Sequence, residues 1–177
     1  MDASAGPFIT LPPGRAPHET FRQFIDMVSG IADDIFRTKG YIRPLFHGIK
    51  RDGGEVIFPG MTDKDLMAAL ARAAFELYDV VRCAFVDEAW IVAALGPDKA
   101  ANDAKIDEAV RVGARNHPDR AEVVMIAAED AIEGQIMGRR PIIRPLIGKA
   151  YLGPLTLQPG GMLEGRFTGL LPRGRVQ

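Results

Sequence analysis

AEVVMIAAEDAIEGQIMGRRPIIRP, residues Ala121–Pro145, decides the fold. Val123–Ala128 is an unbroken apolar run with β-branched residues, which suits a strand covered on both faces. The acids Glu129 and Asp130 end it, and Gly134 supplies a residue able to take positive φ at a turn. A return strand then runs from Gln135 to Arg144. Pro141 lacks a backbone donor, so this strand is expected at a sheet edge or bulged there. Side chains alternate along a strand, so Arg139 and Arg140 must point to opposite faces.

The other strong strand is Val80–Leu95. Alternation places Val81, Cys83, Phe85, Ala89 and Ile91 on one face with Asp87, and Ala84, Val86, Trp90 and Val92 on the other with Glu88. Each face then carries one acid in an apolar setting. Two shorter strands, Tyr41–Ile49 and Glu55–Pro59, flank Lys50–Gly54, where RDGG is a hairpin turn signal. Lys149–Leu157 reads as a last strand.

Two amphipathic helices are expected. In Pro17–Thr38 the apolar residues Phe21, Phe24, Ile25, Val28, Ile31, Ala32, Ile35 and Phe36 recur at i, i+3, i+4, i+7. Gly40 is a natural stop. Asp33 and Asp34 oppose the dipole at its C-terminal end and read as a solvated pair. The second helix starts near Thr62, with Leu66, Leu70, Ala73, Ala74 and Leu77 as its expected buried stripe. Gly96–Arg120 is polar and long for a connection, with a short helix near Asp103–Val112.

The element order argues for one α+β domain, a mainly antiparallel sheet with the two long helices on one face. Residues 1–16 read as an extended arm, 17–157 as the domain, and 158–177 as a glycine-rich tail whose apolar patch, Phe167–Leu171, is able to dock. At 177 residues, 47% hydrophobic and 25% charged, the chain has the composition of a soluble globular domain.

Net charge is −1 and the pI is near 6.3, which gives no electrostatic reason to expect nucleic acid or an anionic membrane as partner. The first residues lack the basic start and apolar core of a secretory signal. Cys83 is the single cysteine, so no intrachain disulfide forms and a cytoplasmic setting fits.

The usual chemical signatures are absent: no phosphate loop, GxGxxG, HExxH, CxxC or GxSxG. One cysteine and the scattered His18, His47 and His117 leave little for a metal, and no cofactor is expected. Cys83 reads as a buried small hydrophobe, and Trp90 as a core or interface anchor. The polar candidates for a ligand site are His47, Asp87, Glu88, Arg139 and Arg140. They describe either a charged cleft between the first helix and the sheet, in which an arginine fork holds a carboxylate, or cross-strand ion pairs that fix register. The first reading makes the chain a small-ligand-binding protein or enzyme. The second, with the missing catalytic signatures and the apolar arms, makes it a non-catalytic interaction module that associates with itself or with another protein.

Overall fold

A computed structural model describes residues 8–12, 20–61, 63–92, 98–159 and 169–172. They form one antiparallel sheet flanked by helices. The strands are β1 (Ile9–Leu11), β2 (Leu45–Lys50), β3 (Glu55–Pro59), β4 (Val80–Val92), β5 (Arg120–Asp130), β6 (Gly134–Ile143), β7 (Tyr151–Leu152) and β8 (Thr156–Pro159). The helices are α1 (Phe21–Lys39), α2 (Lys64–Leu77) and α3 (Lys99–Val112). The sheet order is β1-β3-β2-β4-β5-β6, with β6 bordered by both β7 and β8.

The α+β class and the antiparallel sheet agree with the sequence. The placement of the two helices differs: they lie on opposite faces. Phe46, Val56, Phe58, Cys83 and Phe85 pack with α2 residues Met67, Ala71, Ala74 and Phe75. Ala84, Val86, Val124, Ile126 and Ala128 pack with α1 residues Phe21, Phe24, Ile25, Val28, Ala32 and Phe36. Neighbouring residues of β4 therefore enter different cores, and a strand apolar on both faces needs a cover on each. One irregularity changes the expected alternation. The register against β2 shifts between Ile49 and Lys50, so Val80, not Val81, joins Cys83 and Phe85 on the α2 side.

Local signals explain the ends of α1. The Thr20 hydroxyl accepts from the Gln23 N–H, and the Gln23 side chain accepts in return from the Thr20 N–H. Gly40, at φ 78°, ends the helix with its N–H on the Phe36 carbonyl. The helix thus begins at Phe21, and the expected start at Pro17 lies outside the described residues. Asp63 caps α2, its Oδ1 accepting from the N–H groups of Asp65 and Leu66 at 3.0 Å each. Gly96–Arg120 is more regular than expected: Asp98 caps a 14-residue α3. The final strand is instead two short ones. β8 pairs with β6 over Ile136–Arg139 and β7 over Ile142–Ile143. Pro141 sits between these two ladders, where its missing donor costs no hydrogen bond.

The buried stripe of α2 also differs. Met67, Ala68, Ala71, Ala74 and Phe75 face the sheet, while Leu66, Leu70 and Leu77 are exposed, Leu77 by 77%. The small alanines let α2 lie close to the sheet, where Phe75 meets Phe46 and Phe58 at ring centroids 6.2 and 5.8 Å apart. Turned this way, α2 adds Phe75 to an aromatic cluster, and such ring pairs are worth about 0.5–1.5 kcal/mol each beyond the area they bury.

Both terminal regions meet the domain. Ile9–Leu11 adds an edge strand to β3. Leu170 and Leu171 are buried in the α2-side core, and the Glu129 carboxylate accepts from the Leu170 N–H at 2.9 Å. The rest of the apolar patch, Phe167 and Thr168, lies outside the described residues.

Replacing Phe24, which is fully buried against the sheet, with Ala is expected to cost about 3–5 kcal/mol in urea unfolding. A loss below about 1 kcal/mol would refute the placement of α1, because a side chain in a filled core cannot be removed that cheaply.

Candidate functional site

The five polar candidates do not converge. His47, Glu88 and Arg140 lie on the α1 face, Asp87 and Arg139 on the α2 face. The register explains the spacing. Asp87 pairs with Met125, and Met125 with Arg139; Glu88 pairs with Val124, and Val124 with Arg140. Each acid and the arginine on its face are thus separated by all of β5, roughly 10 Å. The sheet itself divides the set, so one cleft cannot hold all five. The space between α1 and the sheet is occupied by Phe21, Phe24, Ile25 and Val28.

On the α1 face each candidate has a structural task. His47 is buried, and its Nε2 lies 2.8 Å from Glu55 Oε2 on the neighbouring strand. Its ring meets Phe24 edge-on at 5.7 Å. Glu88 accepts from the backbone N–H of Ile42 at 2.6 Å and so holds the α1–β2 connection to the sheet. Arg140 is the most heavily bonded. Its Nε donates to Gly153 O at 2.7 Å, Nη2 to Leu152 O at 3.2 Å, and Nη1 to Ser29 O at 3.3 Å. Nη2 also pairs with Asp33 at 2.8 Å. Asp33, expected to be solvated, is therefore the anion that fixes this guanidinium between α1 and β7. A planar fork with five donors suits this four-way contact, and an ammonium does not.

The α2 face is less engaged. Asp87 lies 4.0 Å from Lys64 Nζ, and burial pushes its carboxyl above the usual value of 3.8. Arg139 makes no hydrogen bond or ion pair among the described residues and is partly exposed. Cys83 is buried, and burial raises its thiol well above the ordinary range, the opposite of what a nucleophile needs. His117, within the polar connection Gly96–Arg120, is buried; its Nδ1 accepts from the Asp119 N–H at 3.0 Å. Its Nε2 is buried without a hydrogen-bond partner among the described residues, the Glu108 carboxylate standing off at 3.8 Å. Among the described residues no three potential metal ligands come together.

The acids that end β5 are also structural. Asp130 Oδ1 accepts from the N–H groups of Ile132 and Glu133 at 2.8 and 2.9 Å, which closes the turn. Its Oδ2 takes the Arg82 Nε at 2.6 Å. Burial pushes this carboxyl up, but the two N–H groups and Arg82 outweigh burial and hold it below its usual value.

Two apolar surface features stand out among the described residues. The exposed α2 positions Leu66, Leu70, Ala73 and Leu77 are spaced by four, three and four residues, which places them on one side of the helix. A second apolar feature is a groove of about 470 Å³ where the end of β4 meets α3, lined by Trp90, Ile91, Ile106, Ala109, Val110 and Ala114. Arg120 lies over the Trp90 ring at 5.4 Å. Neither surface was legible in the sequence: the leucines read as core, and Gly96–Arg120 as a long polar connection with only a short helix near Asp103–Val112. Among the described residues no helix is long and apolar enough to cross a membrane. No protein-family profile, curated protein or solved structure matches the chain.

Two outcomes follow from this placement. Arg140→Ala leaves the Asp33 carboxylate and three partly buried carbonyls without their donor. It is expected to destabilise by about 3–5 kcal/mol in urea unfolding, with Arg140→Lys recovering only part of that; full rescue by lysine would refute the fork. Asp87 binds its proton more tightly in the folded chain than in the unfolded one. Its contribution to stability therefore falls as pH rises from the ordinary aspartate value through the raised one. Asp87→Asn is expected to raise Tm at neutral pH, with the difference shrinking in acid; a Tm lowered at neutral pH would show that the Asp87 charge is needed.

Proposed function

We propose that this chain is a non-catalytic interaction module that self-associates through α2. The observation that carries the reading is the exposed row Leu66, Leu70, Ala73 and Leu77. Spacing by four, three and four residues is that of a helix–helix seam, and three large leucines in water on one helix are an apolar surface that calls for a partner. Two α2 helices related by a two-fold axis and running antiparallel set Leu66 against Leu77 of the second copy and Leu70 against Ala73. The small Ala73 leaves room for the opposing Leu70, so large meets small across the centre of the pair. The same patch serves both copies, as a closed two-fold dimer requires.

The polar candidates support the reading from the other side. His47, Glu88 and Arg140 are engaged in holding α1, β3, β7 and the helix connections together, so they serve the fold of the module. A cytoplasmic setting fits the single, buried Cys83.

The test is molar mass in solution over a wide concentration range. The wild-type chain is expected to associate, and Leu70→Glu with Leu77→Glu to lose the α2 pairing and at least half the mass of the assembly. Both substitutions lie on the solvent side, so the far-ultraviolet circular dichroism is expected to be unchanged. Equal mass for variant and wild type would overturn the α2 seam.

A further inference from the structure

The loop from Arg144 to Ala150, between β6 and β7, ends in a bare apolar tip. Leu146 and Ile147 are 105% and 92% exposed, as open as in an extended chain. The loop base is nevertheless braced. Arg144 grips Glu122 with two bonds, Nε to Oε2 at 2.7 Å and Nη2 to Oε1 at 2.8 Å. Pro145 precedes the tip, and Gly148 follows it at φ 105°, a conformation that side-chain-bearing residues rarely take. Two adjacent large hydrophobes held out on a braced loop form a convex knob, and they add nothing to the fold's own core.

The complementary surface is on the same chain. The groove between α3 and the end of β4 is shallow and apolar, and its volume of about 470 Å³ exceeds that of two aliphatic side chains. Ile106 and Val110 stand open on its rim, Val110 by 79%. Charges match as well. Asp103 and Asp107 flank that rim on α3, and Lys149 follows the knob; all three are exposed and make no ion pair among the described residues.

We infer that the Leu146–Ile147 knob of one copy seats in the α3–β4 groove of a second copy, with Lys149 meeting Asp103 and Asp107. Knob and groove lie at the same end of the sheet, because β6 and β4 run parallel to one another on either side of β5. A two-fold axis at that end lets each copy fill the other's groove at once, which closes the contact rather than propagating a fibre. Burying two aliphatic side chains per copy covers far less than the roughly 800 Å² per partner of a standard interface. The contact is therefore a weak, second one, and it rests on the self-association reading only in that its partner is another copy.

Cross-linking reads such a contact. Ile147→Cys and Val110→Cys are made in separate chains, one carrying a size tag, and mixed under mild oxidation. Both sites are exposed, so the substitutions spare the core, and native Cys83 is buried away from the reaction. The control pairs Ile147→Cys with Ile132→Cys, which is equally exposed at the opposite end of the sheet. Docked thiols meet at a far higher effective concentration than free ones, so the 147–110 hybrid is expected to exceed the 147–132 hybrid by on the order of a hundredfold. Adding Lys149→Glu to the Ile147→Cys chain is expected to remove most of the excess. Equal yields for the two pairs would overturn the inference. The same mixture made with Leu70→Glu and Leu77→Glu separates the two contacts. An excess that persists there supports the knob independently of α2, and an excess that vanishes there overturns it as a contact of its own.

Discussion

Everything in this structure depends on the ladder between β4 and β5 being apolar on both faces. Successive residues of β4 enter different cores, Cys83 and Phe85 toward α2, Ala84 and Val86 toward α1. A strand of that kind cannot leave either face in water, so the chain must supply two covers. It does so with the helices before and after the β2–β3 hairpin, one on each face. The eleven-pair register between β4 and β5 then determines which polar side chains share a face and how far apart they stand.

The charged residues that interrupt the two long strands are absorbed by this arrangement. Asp130 closes the β5–β6 turn and takes Arg82. Glu129 takes the backbone of the C-terminal segment, and Glu88 takes that of the α1–β2 connection. Arg140 binds three carbonyls and Asp33. A buried carboxylate or guanidinium is tolerable only with its hydrogen-bonding capacity filled, and backbone groups at element ends are the nearest donors and acceptors in need of a partner. Pairs that look in sequence like a charged cleft thus become clamps at the ends of helices and loops. Asp87 and Arg139, on the opposite face, escape this pattern.

Among the described residues, large exposed hydrophobic side chains gather on the leucine side of α2, beside the groove at α3 and at the tip of the β6–β7 loop, with others such as Ile9 and Ile132 standing apart. None contributes to either core. The three places differ in shape: a helical seam, a shallow groove and a projecting loop tip. The polar face of α2 carries Asp65, Arg72 and Glu76, so its leucine side is bounded and directional.

The sequence by itself determined the elements that rest on local physics. Three-phenylalanine periodicity made α1, Gly40 ended it, RDGG made the β2–β3 turn, and apolar runs with opposing arginines made β4, β5 and β6. It also determined that Arg139 and Arg140 face apart, since strand alternation needs no tertiary information. Only the tertiary structure decided which side of α2 is inside. Leu66, Leu70 and Leu77 and the set Met67, Ala71, Ala74 and Phe75 both form helical stripes, and the choice fell to the aromatic partners on β2 and β3. It alone decided that the helices take opposite faces, that a bulge at Ile49–Lys50 trades Val81 for Val80, and that Asp33 meets Arg140 across 107 positions of chain. The physical reason is common to all of these. Periodicity reports that a face must be buried, but the surface that buries it is set by contacts between elements distant in sequence.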